Sequence, residues 1–193
     1  MPRIDSEKFY KSALKQHGIT ALGVCWLSNA HQQIRFDVIL DMLPSDLSSF
    51  TLADAGCGFG DFHYYLTINS KKIKSYIGID SVDDMCDIAK QKTDSTILLA
   101  DITKDKIPSA DYYVCSGALN VLTLFETHQF IRNCFESSKK GFIFNVLHGG
   151  KESQTYNYLS TAQIEQIAKT LNVKKVLLKD GYQENDITVG FFK

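Results

Sequence analysis

Leu52-Ala53-Asp54-Ala55-Gly56-Cys57-Gly58-Phe59-Gly60-Asp61-Phe62 is the stretch that decides how this chain reads. A short apolar run carrying one acid passes into three glycines at alternate positions. That pattern is a buried strand ending in a tight loop. Glycine removes the Cβ and permits positive φ, so a ligand can approach the main chain closely. The residues that follow place Phe62, Tyr65, Leu66 and Ile68 at helical spacing. The unit is strand, glycine loop, helix. It is expected to aim free backbone N–H groups and the positive end of a helix at one small ligand.

Spacing narrows the ligand. A dinucleotide fingerprint, G-x-G-x-x-G, puts its third glycine three residues after the second. Here the third glycine is Gly60 and residue 61 is Asp, so the pattern is D-x-G-x-G-x-G. Three more apolar runs follow. Ser75-Tyr76-Ile77-Gly78-Ile79-Asp80 ends in an acid placed to accept hydrogen bonds from ribose hydroxyls. Ser81, with Asp84 three residues on, reads as the cap of a helix that buries Met85 and Ile88 or Ala89. Thr96-Ile97-Leu98-Leu99-Ala100-Asp101-Ile102 is a third run ending in an acid. Ala110-Asp111-Tyr112-Tyr113-Val114-Cys115-Ser116-Gly117 is a fourth, switching to small residues.

Taken in order, these strand ends resemble motifs I to IV of the class I S-adenosylmethionine-dependent methyltransferases, over residues 50–150 by motif and on to 193 by architecture. The resemblance implies S-adenosylmethionine as cofactor, and no metal. It places Asp54, Gly56, Gly58 and Gly60 around the amino-acid end of the cofactor, and Asp80, Ser81 and Met85 at its ribose and adenine. Asp101 and Ile102 fall at the adenine amino group and ring. Ser116 falls at the methionine part, facing the substrate. Bland readings stand beside these: Met85 as an ordinary core residue, Asp101 as a turn or cap residue.

Composition agrees with a globular enzyme. The chain has 193 residues, 44% hydrophobic and 22% charged, with a formal net charge of −1. It reads as one domain over 1–193, with residues 1–44 as a helical N-terminal cap and 45–193 as the cofactor-binding core. No apolar run approaches the roughly 18 residues of a membrane span, and the first residues lack the apolar core of a signal peptide. Cys25, Cys57, Cys86, Cys115 and Cys134 form no C-x-x-C; they read as reduced thiols and the protein as cytoplasmic. No basic stripe argues for nucleic acid, and no segment for a membrane. Oligomeric state is left open.

Along the chain, a short helix is expected over 6–16, a loop over 17–28 and a helix from Asn29 to Leu43, stopped at Pro44. Strands follow at 50–55, 74–79, 96–100, 110–115 and 141–147, with helices near 60–69, 82–92 and 124–137. Ser160-x-x-Gln163 matches a capping box opening a helix that buries Ile164, Ile167, Ala168 and Leu171. Two final strands, from Val173 and from Asp186, flank a polar turn and should form an antiparallel hairpin. Alternation of strand and helix implies an α/β fold with right-handed crossovers. The resemblance makes it a three-layer, Rossmann-like, seven-stranded, mostly parallel sheet ending in an antiparallel hairpin.

The acceptor side is less patterned. In the family an N-terminal extension usually caps the site. Trp26 therefore reads either as part of a closure over the cofactor or as a core tryptophan seating the extension on the sheet. Arg35 reads either as a partner for the cofactor carboxylate or as a solvated helix residue, with His31 a weaker candidate on the same face. Ser116-Gly117-Ala118-Leu119-Asn120 departs from the Asn/Asp-Pro-Pro-Tyr motif, which argues against methylation of DNA adenine or protein glutamine. His148 is the best candidate base, with an exposed loop histidine as the alternative; Asn120 and Tyr156 complete the candidate catalytic set. Asn145, Tyr158, His63 and Tyr64 are ambiguous. The preferred reading is in-line methyl transfer to an O or N of a small molecule. Two others stay open: a cofactor-binding sensor or partner protein without catalysis, and a nicotinamide-dependent oxidoreductase, which the Gly60 spacing and the hairpin disfavour.

Overall fold

A computed structural model describes residues 5–26 and 28–193. Two helices, α1 (Ser6–His17) and α2 (Asn29–Met42), precede the sheet, with a single 3-10 turn (Ala21–Val24) between them. The elements that follow are β1 (Leu47–Ala55), α3 (Asp61–Ile68), β2 (Ile73–Asp80), α4 (Asp83–Lys92), β3 (Thr96–Leu99), β4 (Ala110–Ser116) and α5 (Leu124–Ser137). Then come β5 (Ser138–His148), β6 (Tyr158–Leu159), α6 (Thr161–Thr170), β7 (Lys175–Asp180) and β8 (Asp186–Phe192). The main path of the sheet runs β3-β2-β1-β4-β5-β8-β7, with the two-residue β6 paired to the end of β5. All pairs are parallel except those of β8, which is antiparallel to both β5 and β7. This is the seven-stranded path with a terminal hairpin, and β6 is an addition the sequence did not suggest.

Strand alternation separates two cores. Ala53, Tyr113, Phe142 and Phe144 face α5 and α6, while Leu52, Val114 and Ile143 face α2, α3 and α4. Each central strand is therefore apolar on both sides, as a parallel sheet covered by helices requires. The capping boxes of α5 (Thr123, Glu126) and α6 (Ser160, Gln163) are both formed. Helix α4 differs from expectation. Its N-cap is Val82, with no side-chain cap bond, so Ser81 lies one position too early to cap it. Helix α1 buries no residue of its own. It is tied to α4 by Lys11, whose ammonium lies 2.8 Å from Asp83, and its Tyr10 and Leu14 pack on a small cluster of Phe59, Val82 and Met85. Among the described residues no helix is long and apolar enough to cross a membrane.

In a parallel sheet whose strand order reverses, ligands collect outside the carboxyl ends at the switch point. Here the chain runs outward from β1 through β2 to β3, then returns to β4 on the other side of β1. The switch point lies between the ends of β1 and β4.

Candidate active site

A cavity of about 680 Å³ opens at that point, within the roughly 300–1,000 Å³ of small-ligand clefts. Of the residues singled out from sequence for the cofactor, Trp26, Arg35, Asp54, Gly56, Gly58, Asp80, Ser81, Met85, Asp101, Ile102 and Ser116 all line it. Gly60 does not. It is the left-handed N-cap of α3 (φ 77°), and a Cβ there would sit 2.9 Å from Thr93. Its glycine serves the turn into the helix and close packing on α4.

The glycine loop is spent largely on itself. The N–H groups of Gly56 and Cys57 both donate to the Ile79 carbonyl (2.8 and 3.1 Å), and that of Gly60 donates to Cys57. Gly58 N–H donates to Asp80 Oδ2 at 2.9 Å, and Val82 N–H to Asp80 Oδ1 at 3.0 Å. The expectation of N–H groups left free for a ligand is therefore not met at residues 56, 57, 58 and 60. What the loop does instead is fasten the end of β1 to the end of β2 and aim the Asp80 carboxylate. Burial pushes that carboxyl up, while the backbone N–H groups of Val82, Gly58 and Ser81 pull it back toward ionisation.

Asp54 is buried and accepts a 2.5 Å hydrogen bond from the Tyr76 hydroxyl. Desolvation pushes its pKa up to about 7, against the pull of that bond. Asp101 has turned back on its own loop: Oδ1 accepts from the Thr103 N–H and hydroxyl, and Oδ2 pairs with Lys104. Burial raises this carboxyl, but the Lys104 and Thr103 bonds outweigh it and hold it below the usual carboxylate range. Ser116 Oγ is buried without a hydrogen-bond partner at the tip of β4.

Arg35 is buried in α2, and its Nε and Nη2 both donate to Asp186 Oδ2 at the start of β8. Its guanidinium lies 4.3 Å over the Trp26 ring. Neither sequence reading of Arg35 foresaw an internal partner 151 residues away. Ile34, the residue before it in α2, is 36% exposed. Trp26 lines the cavity and is 9% exposed, packed against the turn after β4.

The catalytic candidates divide. Tyr156 lines the cavity and is exposed. Asn120 lines it too, with its Oδ1 accepting from Leu147 N–H at 3.0 Å. His148 does not line it; its Nδ1 lies 2.8 Å from the Leu159 carbonyl, in the seam between β5 and β6. Sequence reasoning missed Phe9 and Tyr10 on α1, and Tyr182 and Glu184 in the β7–β8 turn, all of which line the cavity. For the turn a signal existed. An antiparallel last strand begins at the carboxyl edge of its parallel neighbours, and Leu147 of β5 pairs with Asp186 of β8.

Residues 52–141 match the family model of a methyltransferase domain. Over that span the chain carries a methyltransferase domain. No curated protein matches the sequence. Solved structures share the fold at low identity. One is magnesium protoporphyrin IX methyltransferase of Synechocystis PCC 6803 with bound S-adenosylhomocysteine, 16% identical over 84% of this chain and 83% of that one, with a TM-score of 0.69. Another comes from a complex of a Haloferax volcanii methyltransferase activator with a putative methyltransferase, 16% identical over 96% of both chains, TM-score 0.71. A third is human N-acetylserotonin methyltransferase with S-adenosylmethionine, 14% identical over 98% of this chain and 60% of that one, TM-score 0.71.

The methyltransferase uses S-adenosylmethionine, and its cavity fits that cofactor. Asp80 has one backbone donor on each oxygen, and a carboxylate offers about four lone-pair sites. With the Ser81 N–H also acting on it, acceptor capacity is left for a ribose hydroxyl. Met85, Ile102 and Phe59 supply an apolar bed beside it. The unpartnered Ser116 Oγ is a polar atom awaiting a ligand where the methionine end would lie.

Proposed function

We propose that this methyltransferase acts on an O or N of a small-molecule acceptor, by direct in-line transfer in the cytosol. The observation that carries the reading is the cover over the site. Residues of α1, the 3-10 turn, α2 and the link between the last two, namely Phe9, Tyr10, Val24, Trp26 and Arg35, form part of the cavity wall over the carboxyl ends of the strands. A folded macromolecule would have to displace that cover, whereas a small molecule is enclosed by it.

When bound, S-adenosylmethionine supplies an electrophilic methyl group on a positively charged sulfur. The chain's own task is binding, orientation and exclusion of water. Asp80 would hold a ribose hydroxyl, Met85 and Ile102 the adenine faces, and Asp101 the adenine amino group. Asp54, close to the glycine loop, would be the counter-charge for the cationic part of the cofactor. Gly56 and Gly58 let the main chain lie close to it. Proximity and alignment of this kind can supply about 7–11 kcal/mol in favourable cases. Ser116, Asn120 and Tyr156 line the cavity, and their hydroxyl and amide groups would orient the acceptor. His148, bonded to Leu159 away from the cavity, has no part in this scheme. The free cysteines, four of them buried, suit a reducing compartment.

Transfer of a labelled methyl group from S-adenosylmethionine to a pool of small metabolites tests the reading. The expected result is label in a low-molecular-weight product. Label found only in protein or nucleic acid added to the same mixture would overturn it.

A further inference from the structure

We infer that the acceptor is a small aromatic amine carrying no carboxylate or phosphate group. This rests on the methyltransferase reading of the site and deepens it. The sheet topology divides the cavity. The ends of β1, β2 and β3 carry the cofactor residues. The end of β4, the end of β5, the β7–β8 turn and the helical cover carry the rest, and apart from Ser116 at the end of β4 no sequence motif assigned that half.

Its walls are aromatic. Phe9, Tyr10, Trp26, Tyr156, Tyr158 and Tyr182 all line the cavity. Rings with apolar faces and polar tips suit a planar apolar ligand, and their electron-rich faces attract a cation. The charge pattern points the same way. Among the described residues lining the cavity there is no lysine, and Arg35 is the one arginine. Two of its nitrogens are committed to Asp186 and its flat face lies over Trp26. The donors it retains suffice for one carboxylate, and the cofactor brings one. An anionic acceptor would then share the cavity with Asp54 and Asp80, the ring of His31 being the one other basic side chain among the described lining residues, and its desolvation is costly. Glu184, exposed in the β7–β8 turn and lining the cavity, offers a carboxylate to an incoming ammonium. Asn185 Nδ2 donates to it at 3.2 Å and holds it in place.

The transfer balances with an amine. The bound ammonium first gives one N–H proton to water. The nitrogen lone pair of the free base then forms the new N–C bond while the C–S bond breaks, its electron pair staying on sulfur, and the product leaves as the methylammonium.

The test is calorimetric titration of the full chain, first loaded with S-adenosylhomocysteine, with phenethylamine and with phenylacetate. The two share ring and chain and differ in charge. The amine is expected to bind at least tenfold more tightly. Equal affinities, tighter binding of the acid, or binding of neither would overturn the proposal while leaving the cofactor site standing. Failure of S-adenosylhomocysteine to bind in the loading step would instead overturn the reading of the site, and this inference with it. Glu184→Gln should narrow the amine preference to less than threefold, and a preference unchanged in that variant would overturn the charge argument.

Discussion

Trp26 lies with its ring edge against Gly117: a Cβ added at 117 would sit 2.7 Å from Cζ2 of the indole. Gly117 also has φ +89°, a conformation that costs an L-residue energy. The cover over the cavity is thus seated on the turn that ends β4. Gly117→Ala should lift the tryptophan and loosen the cover. A loss of stability of about 1–3 kcal/mol is expected from overpacking, along with weaker binding of S-adenosylhomocysteine. Urea unfolding and calorimetry measure the two. An alanine variant with unchanged stability would show that the contact gives way at no cost.

Asp80 joins the glycine loop to the start of the α4 segment, and its place in the proposed cofactor site can be tested. Asp80→Asn keeps the shape but removes the charge, leaving neutral hydrogen bonds to any ribose. Charged hydrogen bonds contribute about 1.5–3 kcal/mol each, so S-adenosylhomocysteine should bind on the order of 10- to 100-fold more weakly. Isothermal titration calorimetry reads this directly, and affinity within twofold of the parent would remove Asp80 from the site.

The buried carboxyl of Asp54 is a pH sensor of stability. Its pKa rises from 3.8 to about 7 in the folded state because burial disfavours its charge. A group raised in this way binds its proton more tightly when folded than when unfolded. Its contribution is therefore favourable at low pH and is lost as pH climbs from about 4 to about 7. Asp54→Asn should be more stable than the parent at pH 8 by an amount on the order of 1–4 kcal/mol. The gap should close toward pH 4. Thermal melts of both proteins across that range provide the check; a gap independent of pH would mean that the carboxyl stays ionised.

Arg35 and Asp186 form a buried pair joining α2 to β8. Desolvation raises the Asp186 carboxyl, and the Arg35 charge and hydrogen bond oppose that rise. Removing one partner leaves a buried charge unmatched, which costs about 3–5 kcal/mol. Arg35→Met is expected to lose stability on that scale. Arg35→Met combined with Asp186→Leu should recover most of it, because no lone charge remains. Denaturant midpoints of the four proteins in the cycle measure the coupling.

His148 offers a control. Its ring is engaged with Leu159 rather than with the cavity. His148→Ala should leave S-adenosylhomocysteine affinity unchanged and cost about 1 kcal/mol for one lost hydrogen bond. A large fall in methyl transfer at full stability would restore His148 as a base.

Much of the site could be read from the chain because its signals are local. A strand end, a tight glycine turn and an acid occupy a few consecutive residues, and the sheet brings such ends together by topology alone. Asp54, Asp80 and Asp101 each sit at the end of a strand run, and all three line one cavity. Signals that depend on distant partners were not legible. The Arg35 guanidinium meets a carboxylate 151 residues on, and nothing near Arg35 announces it. His148 looked like a base because two glycines follow it, yet the pairing of β5 with β6 turned it to a carbonyl. Gly60 looked like its neighbours in the loop, and only packing against Thr93 separates its role from theirs.

The sequence by itself determined the class of fold and the donor of the methyl group. Hydrophobic period, glycine spacing and terminal acids are properties of short segments, and each segment adopts its form through interactions that span only a few residues. The acceptor half was decided only in three dimensions. Tyr10 from the first helix, Trp26 from the turn after it and Glu184 from the last hairpin share a cavity wall although they lie far apart in the chain. The aromatic, acid-bearing character of that wall exists only once the hairpin and the helical cover have packed against the carboxyl edge of the same sheet.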